Sequence, residues 1–426
     1  MTATDQVRLM NEPQERARQP MAVREFRGLI IAQVVSEAGD QIARVAVALL
    51  ILAHTGSALL SAATFAVSFI PTFLGAALLG PLADRFSRRN LMLIADAGRA
   101  VIIGLMAFVA IPGTPVWLLF ALLIAAEFFT PVFDSARAAS IPDILIDRDV
   151  ITAGLGLSRS LHLINQAVGL IVGGFLVQLT SPRFALLIDA VSFVISFAVL
   201  ALVLKPRPAT LDAPDGVFVL LHDLRDGWGL LTSDVTRRSL VLLGWGMAIA
   251  IVAPEAVALA YVRHQGWGDA WGGILMASVI VGAAIGSLIV AGRPVGMQID
   301  LLLPLAIAVC LPLLLTGLEP PRLILVLLWL LSGCAQAFLV PLMSFTTMLT
   351  SNDQRGRVVG IASAGFAALS ALGYLLAGAV SDATSPAFSV VVMAVIGLAV
   401  ASAGFVMWPT EQLRADVANL DSELSN

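Results

Sequence analysis

The stretch Gly80-Pro-Leu-Ala-Asp84-Arg85-Phe-Ser-Arg88-Arg89-Asn90 decides the fold. It is a cluster of charge between two apolar runs, Leu59 to Leu79 upstream and Leu91 to Ile111 downstream. At ~1.5 Å of rise per residue, each run is long enough to cross a bilayer core as a helix. The connection is too short to hold a domain, so the two helices form a hairpin. Its arginines put the turn on the cytoplasmic side, because Lys and Arg beside span ends stay there.

The same pattern continues on both sides of that hairpin. The chain has 426 residues, 58% of them hydrophobic and only 13% charged, and its mean hydropathy is +0.93. Long uncharged runs recur along its whole length, the mark of an integral membrane protein. Lys205 is the only lysine. That excludes a Walker A loop, whose Lys must reach the phosphates, and with it the usual ATP-driven pumps. No histidine stands at a metal-ligand spacing, so neither a metal nor a bound cofactor is expected. Cys310 and Cys334 both fall inside apolar runs, which argues against a disulfide framework. The first residues are polar and Arg-containing without an apolar core, so no cleavable signal peptide is expected there.

Gly, Pro and charged breaks divide the chain into twelve expected spans, at about 27–53, 59–80, 91–111, 116–137, 152–179, 184–204, 238–262, 269–291, 299–318, 321–345, 358–381 and 386–408. Basic residues fall almost entirely on alternate breaks: Arg24, Arg85, Arg88, Arg89, Arg148, Lys205, Arg207, Arg237, Arg293, Arg355 and Arg357 on one side, only Arg183, Arg263 and Arg322 on the other. The first side is expected to be cytoplasmic, and both termini lie on it. The expected division is a cytoplasmic tail over 1–26, a six-helix bundle over 27–204, a linker over 205–237, a second six-helix bundle over 238–408 and a tail over 409–426. Within the linker, Val217, Leu220, Leu221, Leu224, Trp228 and Leu231 recur at helical spacing. They predict an amphipathic helix that either lies on the membrane surface or packs under the bundle.

Several motifs carry a resemblance. Gly80, Asp84, Arg85, Arg88 and Arg89 match the G-x-x-x-D-R-x-G-R-R loop between spans two and three of the major facilitator superfamily, with Ser87 where that family usually has Gly. Gly39-Asp40-Gln-Ile-Ala-Arg44-Val-Ala in span one, and Asp353-Gln-Arg355-Gly356-Arg357-Val358 after span ten, resemble a subgroup of exporters related to macrolide-efflux and enterobactin-exporter proteins. Ser135-Ala-Arg137 followed by Ile141-Pro142 fits the same subgroup. Gly169-Leu170-Ile-Val-Gly173-Gly174 keeps the small residues of the span-five antiporter pattern but not its proline. The resemblance implies an all-α membrane fold of two six-helix bundles that works by alternating access. It also implies that Asp84 latches the halves together, with Arg137 as its proposed partner.

Charges inside the spans point to the mechanism. An ionisable side chain at the bilayer centre costs roughly 2.5–3.5 kcal/mol on insertion scales, so each needs a reason. Glu37, Asp40 and Arg44 share one face of span one. Asp40 and Arg44, at i and i+4, are the expected ion pair, and Glu37 is the surplus acid. Glu127 stands alone in span four and is its rival as proton carrier. Span five has a polar face of Arg159, His162, Asn165 and Gln166, and span seven holds Glu255 after Pro254. Asp189, and Asp96 with Arg99, are placed toward span ends and read as interfacial or structural pairs. Asn165, Gln166, Glu255, Gln336, Phe128 and Met247 are the candidate substrate-cavity residues.

Together these features predict a secondary transporter, monomeric in the cytoplasmic membrane, that exports amphipathic small molecules in exchange for protons. Its expected partners are a small-molecule substrate, protons and the lipid bilayer, with no nucleic acid. A facilitator or importer without proton antiport is the alternative, and a receptor or scaffold without flux is the alternative of another class. A membrane-embedded enzyme finds no Ser/His/Asp arrangement, metal triad or nucleotide loop to support it.

Overall fold

The computed structural model describes residues 20–71, 87–111, 113–207, 228–231, 233–351, 354–408 and 410–425. Among these residues the regular structure is helical throughout. In chain order the α-helices are α1 (Arg24–Thr55), α2 (Ala58–Val67), α3 (Arg88–Val109), α4 (Val116–Glu127), α5 (Phe129–Ile144), α6 (Arg148–Leu179), α7 (Pro182–Val203), α8 (Val235–Ile251), α9 (Ala253–His264), α10 (Ala270–Ala291), α11 (Val295–Leu314), α12 (Arg322–Ala335), α13 (Leu339–Met348), α14 (Arg355–Ala383), α15 (Pro386–Met407) and α16 (Thr410–Ser425). Ten helical segments among the described residues are long and apolar enough to cross a membrane. The first expected span is α1, 32 residues long, which carries Glu37, Asp40 and Arg44 and is not among those ten. The second begins with α2, and its remainder over 72–86 lies outside the described residues.

Three of the long segments are interrupted, and each interruption has a proline behind it. Helices α4 and α5 meet at Phe128, α8 and α9 at Val252, while α12 and α13 flank a 3-10 turn at Gln336–Phe338. Pro131, Pro254 and Pro341 follow these breaks. A proline has no N–H to bond the carbonyl four residues back, and its ring crowds that carbonyl. The carbonyls of Glu127, Ala250 and Ala337 are the ones affected.

One connection occurs twice. Thr180-Ser181-Pro182-Arg183-Phe184 closes α6 and opens α7, and Thr384-Ser385-Pro386-Ala387-Phe388 closes α14 and opens α15. In each, the Thr hydroxyl donates to the carbonyl four residues back at 2.6 Å, and the Ser hydroxyl accepts from the Phe N–H at 3.2 Å. The Ser caps the new helix while the Pro occupies its first position, where a missing N–H costs nothing.

The chain groups into two compact units, one drawn from residues 1–46 and 70–216, the other from 47–69 and 217–426. In the first unit, Phe26, Leu29, Met92, Phe133, Ile141, Leu145 and Leu200 form a buried core around α1, α3, α5 and α7. At its edge Glu25 bonds Arg207 at 2.8 Å and Lys205 at 3.4 Å, tying the start of α1 to the chain after α7. Burial raises the Glu25 carboxyl, but the hydrogen bonds and charge of Arg207 and Lys205 outweigh it and hold the group below its ordinary value. In the second unit α10 and α12 approach through glycines. A Cβ on Gly282 would fall 2.1 Å from the Leu330 carbonyl oxygen, and one on Gly286 only 2.0 Å from that of Cys334. The amphipathic stretch expected over 217–231 lies outside the described residues except at its end. There Leu231 is buried with Val241, Val358 and Ile361, and Trp228 stacks on Trp245 at 6.1 Å.

Candidate functional site

The site is built on α1. Gln33, Glu37, Asp40, Gln41 and Arg44 follow helical spacing and share one face. Two close approaches fix that face within the first unit. Gly169 and Gly173 of α6 lie against α1, where a Cβ on Gly169 would come within 2.7 Å of the Gln41 Cβ and one on Gly173 within 3.1 Å of the Ile42 Cα. On the side of α7, a Cβ on Gly39 would meet Ser192 Oγ at 2.2 Å and Asp189 Oδ1 at 2.3 Å. The Gly of the Gly39-Asp40 motif thus admits a polar cluster of α7 to the backbone of α1. The span-five small residues do the same for α6.

The ion pairs differ from those expected. Arg44 reaches across to Glu127 of α4, with Nε donating to Oε1 at 3.2 Å and the closest ion-pair distance at 3.1 Å. Asp40 instead meets Arg99 of α3 at 3.5 Å. Glu127 is therefore not a solitary acid, and it also accepts from the Thr130 hydroxyl at 3.5 Å. Glu37 is no surplus acid either. Gln33 Nε2 donates to it at 3.0 Å and Asn165 Nδ2 at 3.4 Å, while His162 Nδ1 lies at 3.3 Å and Arg137 at 3.9 Å. The reason is reach. A long Arg side chain on α1 finds acids on neighbouring helices at distances that sequence spacing does not record.

Below this layer sits a second one. Arg99 holds Asp96 at 2.8 Å, and its guanidinium lies over the rings of Phe133 at 4.8 Å and Phe193 at 4.4 Å. Asp96 also accepts from the Ser196 hydroxyl at 2.6 Å. Arg99, Asp96 and Asp189 are all buried. A planar cation stacked between two aromatic faces and bonded to carboxylates is well suited to a dry interior. Between the layers is a polar cavity of about 90 Å³, lined by Glu37, Asp40, Arg44, Arg99, His162 and Gln166 among others.

The other candidate residues are distributed as follows. Arg137 donates to Ser158 Oγ and bonds Asp134 at 3.1 Å, so its described partners lie within its own unit. Gly80, Asp84 and Arg85 lie outside the described residues. Arg88 bonds the Ala139 carbonyl and Asp143, and Arg89 the Ala201 carbonyl at 2.7 Å, which ties the start of α3 to α5 and α7. Of the candidate cavity residues, Gln166 lines the polar cavity, Asn165 is hydrogen-bonded to Glu37, and half-buried Phe128 occupies the break between α4 and α5. In the second unit Glu255 stands in the first turn of α9 and Gln336 opens the 3-10 turn after α12. Met247 is fully buried there.

Sequence reasoning missed the second layer. Asp96 and Arg99 at i and i+3 within an apolar helix were the available signal, and their distance from the ends of α3 shows them to be mid-span. Asp189, eight residues into α7, lies deep enough to meet Gly39, not in an interfacial position. Gln33 and Ser158 carried no sequence signal, yet they bond each other at 2.8 Å and orient Glu37.

Comparisons with known proteins bear on what this site serves. A family model described as Major Facilitator Superfamily matches residues 29–299. Macrolide efflux protein A of Streptococcus pyogenes is 25% identical over 224 residues, covering 52% of this chain and 54% of that protein. The chain thus spans about half the length of that relative. The multidrug efflux pump Tap of Mycobacterium tuberculosis is 26% identical over 388 residues, covering 83% of this chain and 86% of Tap. Among solved structures, the nucleoside transporter NupG superposes with a TM-score of 0.73 at 14% identity, over 90% of this chain and 99% of that one. At that identity the likeness is one of fold.

Proposed function

Because the chain belongs to the Major Facilitator Superfamily and is a multi-pass membrane transporter, we propose that it exports amphipathic small molecules across the cytoplasmic membrane in exchange for protons. In this reading the chain has twelve spans divided six and six at the 205–237 linker, both termini are cytoplasmic, and it works as a monomer by alternating access. The observation that carries the reading is the pairing of acids with arginines around the polar cavity, Glu127 with Arg44 and Asp40 with Arg99. An ion pair and a bound proton are mutually exclusive states of a carboxyl. A proton arriving at Glu127 neutralises it and weakens its bond to Arg44, and one arriving at Asp40 weakens its contact with Arg99, which stays on Asp96. Each arrival changes which contacts hold α1 to α3 and α4. Glu37 carries the same logic to His162 and Arg137, which lie 3.3 and 3.9 Å from it. Similarity to efflux proteins supports export of macrolide-like or other drug-like amphipathic compounds, and Asn165, Gln166, Phe128, Glu255 and Gln336 are the proposed substrate contacts. Asp84 with Arg85, Arg88 and Arg89 is the proposed latch between conformations.

The test uses cells with and without the protein, loaded with a macrolide or the cationic dye ethidium, with and without a protonophore. Lower accumulation that the protonophore abolishes is expected. In proteoliposomes Glu127→Gln and Glu37→Gln are expected to lose gradient-driven export while downhill exchange persists. Flux that ignores the proton gradient would establish a facilitator instead, and no flux for any compound would remove the transport reading.

A further inference from the structure

The pairs around the cavity leave one carboxyl unused. Asp189 of α7 is fully buried, and Ser192 Oγ donates to its Oδ1 at 3.2 Å. Its Oδ2 is buried with no hydrogen-bond partner among the described residues. Asp189 lies against the backbone of α1 at Gly39, one residue from Asp40. Arg99 has the complementary defect. Its terminal nitrogens hold Asp96 and Asp40, but its Nε–H is buried and has no partner among the described residues.

The charges around Asp189 come from every helix packed near it. On α1 these are Asp40 and, along the same face, Glu37 and Arg44; on α3, Asp96 and Arg99; on α4, Glu127. Helix α6 adds His162, which is turned to Glu37, and exposed Arg159, and α7 itself has Arg183 only at its start. In the inner layer two guanidiniums, Arg44 and Arg99, therefore face four carboxyls, Asp40, Asp96, Glu127 and Asp189. Asp96 and Glu127 are the closely paired ones, at 2.8 and 3.1 Å, while the Asp40 contact is longer at 3.5 Å. Burying an ionised carboxylate without a partner costs far more than burying its neutral form. Two neighbouring acids that cannot both be compensated hold a proton between them.

We propose that Asp40 and Asp189 share one proton, with Arg99 as the mobile counter-charge between them, so that Asp189 is a second proton-holding carboxyl of this protein. With the proton on Asp189 Oδ2, Arg99 bridges Asp96 and Asp40, the arrangement seen here. When the proton passes to Asp40, one O–H bond breaks at Asp189 and one forms at Asp40. The Asp189 carboxylate then accepts from the Arg99 Nε–H, while Asp96 keeps its bond. The role of this exchange in transport rests on the proton-antiport reading, but the shared proton is measurable without transport.

Infrared spectra of the purified full-length protein test it, comparing wild type with Asp189→Asn and Asp40→Asn across pH. The wild type is expected to show the carbonyl stretch of a protonated carboxylic acid at neutral pH, and Asp189→Asn to lose the amplitude of one carboxyl. Asp189→Asn is also expected to keep wild-type folded yield and Tm, since a neutral acid becomes a neutral amide, whereas Asp96→Asn lowers both. The proposal is overturned if the band is absent from wild type, or survives in Asp189→Asn. It is equally overturned if Asp189→Asn destabilises as much as Asp96→Asn, which marks an ionised, paired Asp189. Should the band vanish as expected while transport ignores the proton gradient, the shared proton stands and the antiport reading alone fails.

Discussion

Helices α1, α3, α4 and α7 of the first unit carry Glu37, Asp40, Arg44, Asp96, Arg99, Glu127 and Asp189 within their span interiors. In the second unit the helices instead meet backbone to backbone, Gly282 on Leu330, Gly286 on Cys334, Gly333 on Val279 and Gly373 on Ile249. Each buried charge carries an insertion cost of roughly 2.5–3.5 kcal/mol, which close glycine packing avoids. The contrast separates two tasks. The first unit holds its span-interior acids and arginines in ion pairs, Arg44 with Glu127 and Arg99 with Asp96 and Asp40. The second brings helix backbones into van der Waals contact at Gly282, Gly286 and Gly333.

The largest effect expected from this contrast is at Arg99. Arg99→Ala removes the cation from Asp96 and Asp40 and leaves two carboxylates stranded, at a cost of about 3–5 kcal/mol in a group that is 2% exposed. Folded yield in detergent and thermal unfolding should both fall. Adding Asp96→Asn to Arg99→Ala should recover part of the loss. A double variant worse than either single one would mean that the two residues are not each other's partner.

Next come the glycines. Gly286→Ala places a methyl 2.0 Å from a carbonyl oxygen of a neighbouring helix, where neither side can rotate away. It should cost about 1–3 kcal/mol, toward the upper end. Gly173→Ala in the first unit meets the Ile42 Cα at 3.1 Å, a contact relieved by a few tenths of an ångström, and should cost less. Thermal unfolding of the two variants side by side gives the order. If Gly173→Ala proves the more damaging, close backbone packing does not distinguish the second unit.

The smallest effect sharpens what the units have in common. Ser181→Ala and Ser385→Ala each delete a helix N-cap of the same geometry. Each should cost about 1 kcal/mol, and the two should be equal in unfolding measurements. A clear inequality would show that the repeated Thr-Ser-Pro connection does different work in the two units.

Much of this was legible in residue order, because it depends on local periodicity. The runs flanking Gly80 to Asn90 marked membrane helices, and the spacing of Glu37, Asp40 and Arg44 put them on one helix face. The small residues of Gly169 to Gly174 marked a close approach, and the similarity to macrolide efflux protein A and Tap agrees with the subgroup that the Gly39-Asp40 motif resembles. The breaks ahead of Pro131, Pro254 and Pro341 were not read from residue order, since Pro142, Pro304 and Pro312 lie inside helices that continue.

What only the tertiary structure decided is who pairs with whom. Asp40 stands four residues from Arg44, yet the bonds of Arg44 described here run to Glu127, 83 residues on. Arg99 joins Asp40 from 59 residues away, and Gln33 orients Glu37 with help from Ser158, 125 residues on. Position in a helix specifies direction around its axis, but not depth or the distance to a neighbouring helix. Those follow from how closely Gly39, Gly169 and Gly173 let the neighbours come. In a bilayer interior a carboxylate depends on a cation or donor within a few ångströms, so that approach decided the site.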